Sequence, residues 1–165
     1  RTAGLREFGT VLAPQSAFYL IQGMETVSLR MERHLQNAKT VLEFLSNHEA
    51  VAWVRHPDLP DHPNHAVAQR QLPKGTTSMI VFGVKGGFDA GRKLINSVKL
   101  ASHVSNVGDA KTLLVHPAST THMQLGPEQR KLAGVPDDLI RLSVGIEHVD
   151  DIIDDLRASL RASQR

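Results

Sequence analysis

The sequence predicts an α/β fold in which helices cover one face of a mainly antiparallel sheet. Three observations lead there. After Thr26 a long run places apolar side chains at steps of three and four, the period of a single buried helical stripe. About five short β-prone stretches follow, each bounded by Gly, Pro, Asn or Asp. Between and after them the helical period returns.

The elements can be justified in order. Pro14 to about Met24 has helical composition, with proline tolerated in the first turn. A second helix is expected from Thr26 or Val27 to Asn47. Its stripe is Val27, Met31, Leu35, Ala38, Val41, Leu42 and Leu45, with Arg30, Glu32, Arg33, Gln36, Asn37, Lys39 and Glu43 on the remaining face. Gly23 is the expected bend between the two helices. Val51 to Val54 reads as a strand, and the proline-rich stretch from Arg55 to Asn64 as a loop. Asn64 is placed to cap a short helix from His65 to Gln71. Thr77 to Val84 is a strand closed by Lys85, Gly86 and Gly87, and Phe88 to Ser97 a helix burying Phe88, Leu94 and Ile95. Lys99 to Ser102, Leu113 to His116 and Leu139 to Val144 supply the other strands. Glu128 to Ala133 forms a short helix ended by Gly134, and Val149 to Leu160 a last helix with Ile152, Ile153, Leu156 and Leu160 inward.

At 165 residues the chain suffices for one domain with a sizeable core. Its 41% hydrophobic and 22% charged residues belong to a globular protein rather than a disordered one. A net charge of only +2, with basic residues scattered, argues against nucleic acid or an anionic membrane as partner. No apolar run approaches a membrane span, and no signal-peptide pattern stands at the start. Without cysteine there is no disulfide framework, thiolate metal site or thiol nucleophile, which fits a reducing compartment. The chain starts at Arg1, so it is expected to begin inside a longer reading frame or after processing.

Arg141 is the first candidate for chemistry. It lies mid-strand between Ile140 and Leu142, which point to the other face, so it shares a face with Leu139 and Ser143. A guanidinium in so apolar a strand needs a partner. An internal acid, solvent at a sheet edge, or a ligand carboxylate held by two parallel hydrogen bonds would each serve. Asn106, in the turn from Ser105 to Asp109, either faces a cleft or bonds its own backbone. His116, Ser119, Thr120, Thr121 and His122 look like a hydrolase set, but no nucleophile elbow precedes a helix and no acid is placed to orient a histidine. Local hydrogen bonds shaping a loop are expected there instead. His56, His62 and His65, with Asp58 and Asp61, match no standard metal-ligand spacing, and a solvated loop is expected. Lys111 is expected to be an exposed turn lysine.

Two stretches carry a family resemblance: Ser102 to His122, and Asp138 to Glu147. A Gly-Asp turn leads into an apolar strand and a His-Pro-Ala-Ser-Thr-Thr-His loop, and a second apolar strand with one arginine follows in an Arg-Leu-Ser-Val-Gly-Ile-Glu motif. Together they resemble the C-terminal domain of the pyridoxal-phosphate (PLP) enzymes of Cys/Met metabolism, most closely the O-acetylhomoserine sulfhydrylases. The resemblance runs from about Gly4 to Leu160. It implies the small C-terminal domain of an aspartate-aminotransferase-like fold, preceded by a long helical segment. Residues 1–25 would then be a helical connection from a PLP-binding large domain, and residues 26–165 the domain that holds the substrate carboxylate.

The resemblance further implies that Arg141 binds the α-carboxylate of an amino-acid substrate, with Asn106 beside it and Thr121 supporting Arg141. Ser105 would stand near the distal end of the substrate, leaving room for an acetyl group. The cofactor lysine, a Ser-x-Thr-Lys type motif in the family, would lie in the missing large domain. No catalytic, cofactor-binding or metal-binding residue is then expected in this chain, which alone would be inactive. The full-length enzyme would be cytoplasmic and homotetrameric, making homocysteine or methionine from O-acetylhomoserine and sulfide or methanethiol. Cystathionine γ-synthase, methionine γ-lyase and O-succinylhomoserine sulfhydrylase share most of these motifs. A non-catalytic ligand-binding or subunit-contact module is the alternative outside enzymes.

Overall fold

The computed structural model describes residues 4, 8, 9 and 11–165, so part of the connection predicted over residues 1–25 lies outside the described residues. Helix α1 (Pro14–Glu25) is followed after one residue by α2 (Val27–Ser46). The break falls at Thr26 rather than Gly23, which stays inside α1. Strand β1 (Val51–Arg55), helix α3 (His65–Gln71), strand β2 (Met79–Val84) and helix α4 (Gly87–Ser97) come next. They are followed by β3 (Leu113–Val115), a 3-10 turn (Pro117–Ser119), α5 (Pro127–Leu132), β4 (Leu139–Ser143) and α6 (Val149–Ser163). Among the described residues no helix is long and apolar enough to cross a membrane.

The four strands form one sheet in the order β1-β2-β4-β3, with every neighbouring pair antiparallel. The last strand in sequence is therefore an inner one. Its inner face supplies Ile140 and Leu142, which join Ile80, Phe82 and Leu114 under α2, α4 and α6. Val41 and Leu45 of α2, Leu94 of α4 and Leu156 and Leu160 of α6 are essentially inaccessible to solvent. The one-sided layering matches the expectation from periodicity. At β1 a bulge falls between Val51 and Trp53. The Trp53 indole lies across Gly83 and donates to Asp138 Oδ2 at 2.8 Å; any side chain at position 83 would collide with it.

Some expectations are corrected. Lys99 to Ser102 is not a strand but a single parallel bridge, Ser102 to Leu113. The backbone N–H groups of Lys99, Leu100 and Ala101 donate instead to the Asp155 carboxylate at 2.8, 3.0 and 3.0 Å. A ladder cannot form when its donors already have a side-chain acceptor. Asn64 precedes α3 but makes no side-chain cap. Asn37, assigned to the solvent face of α2, is buried, as is its neighbour one turn back, His34.

The N-terminal half of the α2 stripe is not covered. Val27 and Met31 are exposed, together with Phe18, Leu20, Ile21 and Met24 of α1, so the two helices share an apolar surface open to solvent. Among the structural elements, α1 packs against α2.

Replacing Gly83 with alanine is expected to displace the indole of the only tryptophan, red-shift its emission and cost roughly 1–3 kcal/mol. Fluorescence-monitored urea denaturation reads both effects at once.

Candidate carboxylate site

Arg141 stands in β4 between Val81 of β2 and Val115 of β3, paired in register with both. Alternation along the strand puts it on the face opposite the helices. The residue is half-buried, and among the described residues its guanidinium makes one hydrogen bond, Nη1 to Ser105 Oγ at 3.3 Å. No carboxylate among them lies within ion-pair distance.

Arg130 shows the contrast within the same chain. It is 8% exposed, its Nε and Nη2 both lie 2.8 Å from Asp137 Oδ1, and its Nη1 donates to Leu125 O at 2.6 Å. That is how this fold satisfies a structural arginine; the internal acid weighed for Arg141 belongs to Arg130.

Ser105 and Asn106 lie on the exposed loop facing that strand. The loop is closed at its base by Ser102 N–H to Thr112 O at 2.9 Å and Leu114 N–H to Ser102 O at 3.0 Å. Its tip turns at Gly108, whose φ of 72° favours glycine, and Gly108 N–H reaches Ser143 Oγ at 3.4 Å. Asn106 Oδ1 accepts the N–H of Val107 at 2.9 Å, so the local-turn reading holds for that atom. Its Nδ2 has no partner among the described residues. The Ser105 hydroxyl meets the Arg141 guanidinium. The Thr121 hydroxyl pairs with His122 Nδ1 at 2.9 Å and makes no bond to Arg141 among the described residues.

The histidine-rich loops are tied by their own backbone. His56 donates from Nε2 to Thr77 O at 3.1 Å and accepts Asp58 N–H at Nδ1, also at 3.1 Å. His62 Nδ1 accepts Asn64 N–H, and His65 Nδ1 bonds Pro57 O. Among the described residues no three His, Cys, Asp or Glu converge as metal ligands. His116 is buried, with Nε2 donating to Asp137 O and Nδ1 accepting from Ser119 Oγ, both at 2.8 Å. Its ring meets the edge of Phe88, and a side chain at Gly91 would collide with it. Burial pushes its pKa below the ordinary histidine value, against the opposing pull of Asp137. His116 therefore locks the loop as a neutral ring.

The sequence reading missed a cluster behind Arg141. The Glu147 carboxylate accepts Thr112 N–H at 2.7 Å and Thr112 Oγ1–H at 2.9 Å, and Thr112 Oγ1 in turn accepts Gly145 N–H at 2.9 Å. From α2, Asn37 Nδ2 donates to Gly145 O and Glu147 O, and His34 Nδ1 bonds Val144 O at 2.6 Å. The available signal was the i, i+3 spacing of His34 and Asn37 beside the apolar stripe.

Comparison with known proteins follows the same lines. The family model described as Cys/Met metabolism PLP-dependent enzyme matches residues 2–161. A homocysteine synthase of Schizosaccharomyces pombe is 50% identical over 99% of this chain and 38% of its own length. An L-methionine gamma-lyase of Fusobacterium nucleatum is 49% identical over 97% of this chain and 40% of its own length. Among solved structures, an O-acetylhomoserine (thiol)-lyase from Campylobacter jejuni, which carries a pyridoxyl-lysine phosphate, superposes with a TM-score of 0.85. It is 37% identical, over 96% of this chain and 38% of that one. The chain thus spans about two fifths of the length of the relatives it matches.

Burial of neutral His116 gives stability a sign with pH. Its folded pKa lies below the ordinary 6.5, so on acidification the unfolded chain takes up the proton first. The contribution is whole above about pH 6.5 and is lost as pH falls through the folded value. His48, also lowered by burial, acts in the same direction. The urea midpoint is expected to drop between about pH 7.5 and pH 5, less steeply in His116→Asn than in the parent.

Proposed function

Because the chain belongs to the Cys/Met metabolism PLP-dependent enzyme family, we propose that it is the substrate-gripping C-terminal part of an O-acetylhomoserine sulfhydrylase. That enzyme would make homocysteine from O-acetylhomoserine and sulfide, or methionine when methanethiol is the donor. One observation carries the assignment: among the described residues Arg141 is held mid-sheet with a hydroxyl and no acid within ion-pair distance, while Arg130 in the same chain is paired with Asp137. A fixed guanidinium with its fork free is the donor that a planar carboxylate matches bidentately.

On this reading the α-carboxylate docks on Arg141, and Asn106 Nδ2 is the second donor. Ser105 orients the guanidinium, and Thr121, exposed on its loop, stands at the rim. On the same reading the cofactor's seat lies outside this chain. Every lysine of the chain is exposed, Lys111 included. We assign that seat to the remainder of the polypeptide and the exposed apolar surface of α1 and α2 to contact with it. In this enzyme class pyridoxal phosphate supplies the electron sink. The part of this chain is to hold the carboxylate, and with it the orientation of the Cα–H bond. A homotetramer in the cytoplasm goes with the same reading.

The methionine γ-lyase at 49% identity favours a second reading within the family, cleavage of methionine without an added thiol. Product analysis separates the two: homocysteine formed only with sulfide present supports the sulfhydrylase, and thiol released from methionine alone supports the lyase.

In the full-length protein, Arg141→Ala is expected to lower kcat/KM about a hundred-fold or more, with the cofactor absorbance retained and little recovery in Arg141→Lys. Near-normal turnover would remove Arg141 from the site. This chain, mixed with pyridoxal phosphate and reduced with borohydride, is expected to give no specific lysine adduct by peptide mass spectrometry. A stoichiometric adduct at Lys111 or elsewhere would place the cofactor's seat here.

A further inference from the structure

We propose that Glu147 is a positioning residue for the carboxylate grip: through Thr112 it fixes the loop that sets Ser105 and Asn106 against Arg141. The inference rests on the assignment of Arg141 to the substrate carboxylate. Its geometry is a chain of short bonds. Val144 and Gly145, just past β4, are held to α2 by His34 and Asn37. Glu147, whose own carbonyl is held by Asn37, reaches across with both carboxylate oxygens to the N–H and hydroxyl of Thr112. Ile146 N–H adds a bond to Ala110 O at 2.9 Å. Thr112 is the first residue after the turn, and its carbonyl closes the loop base with Ser102.

The choice of residue types follows from the donors. Thr112 presents an N–H and an O–H on one side, and the carboxylate takes both, one on each oxygen, with charge-assisted bonds. Gly145 is required because any side chain there would overlap the Glu147 carboxylate, Thr112 N and Ala110 O. The loop carries Ser105, bonded to Arg141, and Gly108, bonded to Ser143 two residues along the same strand. If the return limb slides relative to β4, both contacts move, and with them the donor beside Arg141. The bonds from Glu147 to Thr112 oppose that slide.

The test compares variants in the full-length protein. Glu147→Ala is expected to raise KM for the amino-acid substrate about ten-fold or more, with KM for the thiol donor and the cofactor absorbance unchanged. Glu147→Gln should recover part of the loss, because its amide oxygen still accepts Thr112 N–H. Thr112→Val keeps the side-chain shape without the hydroxyl; it should raise the same KM, and it decides the matter if Glu147→Ala does not fold. Amide exchange at Thr112 and Gly145 should quicken about ten-fold in these variants while Ile140 stays protected. Faster exchange with KM unchanged, alongside an impaired Arg141→Ala, would make the clamp structural only and overturn the inference. An unchanged KM in Arg141→Ala would bring down the Arg141 assignment and this inference together.

Discussion

The two-sided pairing of β4 is the constraint on which the rest depends. Although last in sequence, it is flanked by β2 and β3, so hydrogen bonds fix its backbone on both edges. Its inner residues Ile140 and Leu142 lie in the core, and its outer face carries Arg141. A guanidinium on a central strand loses less orientational freedom on binding than one on a loop, because its Cα is already held. Strand β4 also joins β2 and β3, which run parallel to each other and are connected through α4. Sheet integrity and the placement of the cation are thus one property.

Around that strand the chain distributes its charges unequally. Asp155 accepts three backbone N–H groups ahead of the loop, Glu147 accepts the N–H and hydroxyl of Thr112 behind it, and Asp137 faces Arg130. Each of these acids has donors of its own, and none is near enough to neutralise Arg141. Two carboxylates hold the loop at its ends, while among the described residues the Arg141 guanidinium that the loop faces has no carboxylate within ion-pair distance. The surface pocket lined by Trp53, Arg55 and His62 shows no comparable convergence, since Arg55 lies over the Trp53 ring and Trp53 donates to Asp138.

Much of this was legible in the sequence. The helices and the four strands follow from apolar period and from Gly and Pro punctuation, and alternation along the strand is enough to place Arg141 on the face opposite Ile140 and Leu142. What was not legible depends on partners distant in sequence. Lys99 to Ser102 has the composition of a strand, but Asp155 takes its donors. Asn37 has the polarity of a surface residue, but it reaches carbonyls more than a hundred positions away. Glu147 was seen as part of a motif, yet its role depends on Thr112. For Arg141 the strand pattern alone left several partners open, and the family motif made the carboxylate reading the expected one.

Strand order also governs when the site comes into being. Strand β3 is synthesised before β4, yet cannot complete the sheet without it, so β2 and β3 keep open edges until residue 143 is available. Such late, non-local closure is slow relative to local folding. It also acts as a check on register. A slip of one position along β4 would turn Arg141 into the core and Ile140 and Leu142 out of it, costing several kcal/mol for the unpaired charge alone. Only the alignment that completes the core leaves the guanidinium on the open face, so a sheet assembled out of register would bury the charge and be too unstable to persist.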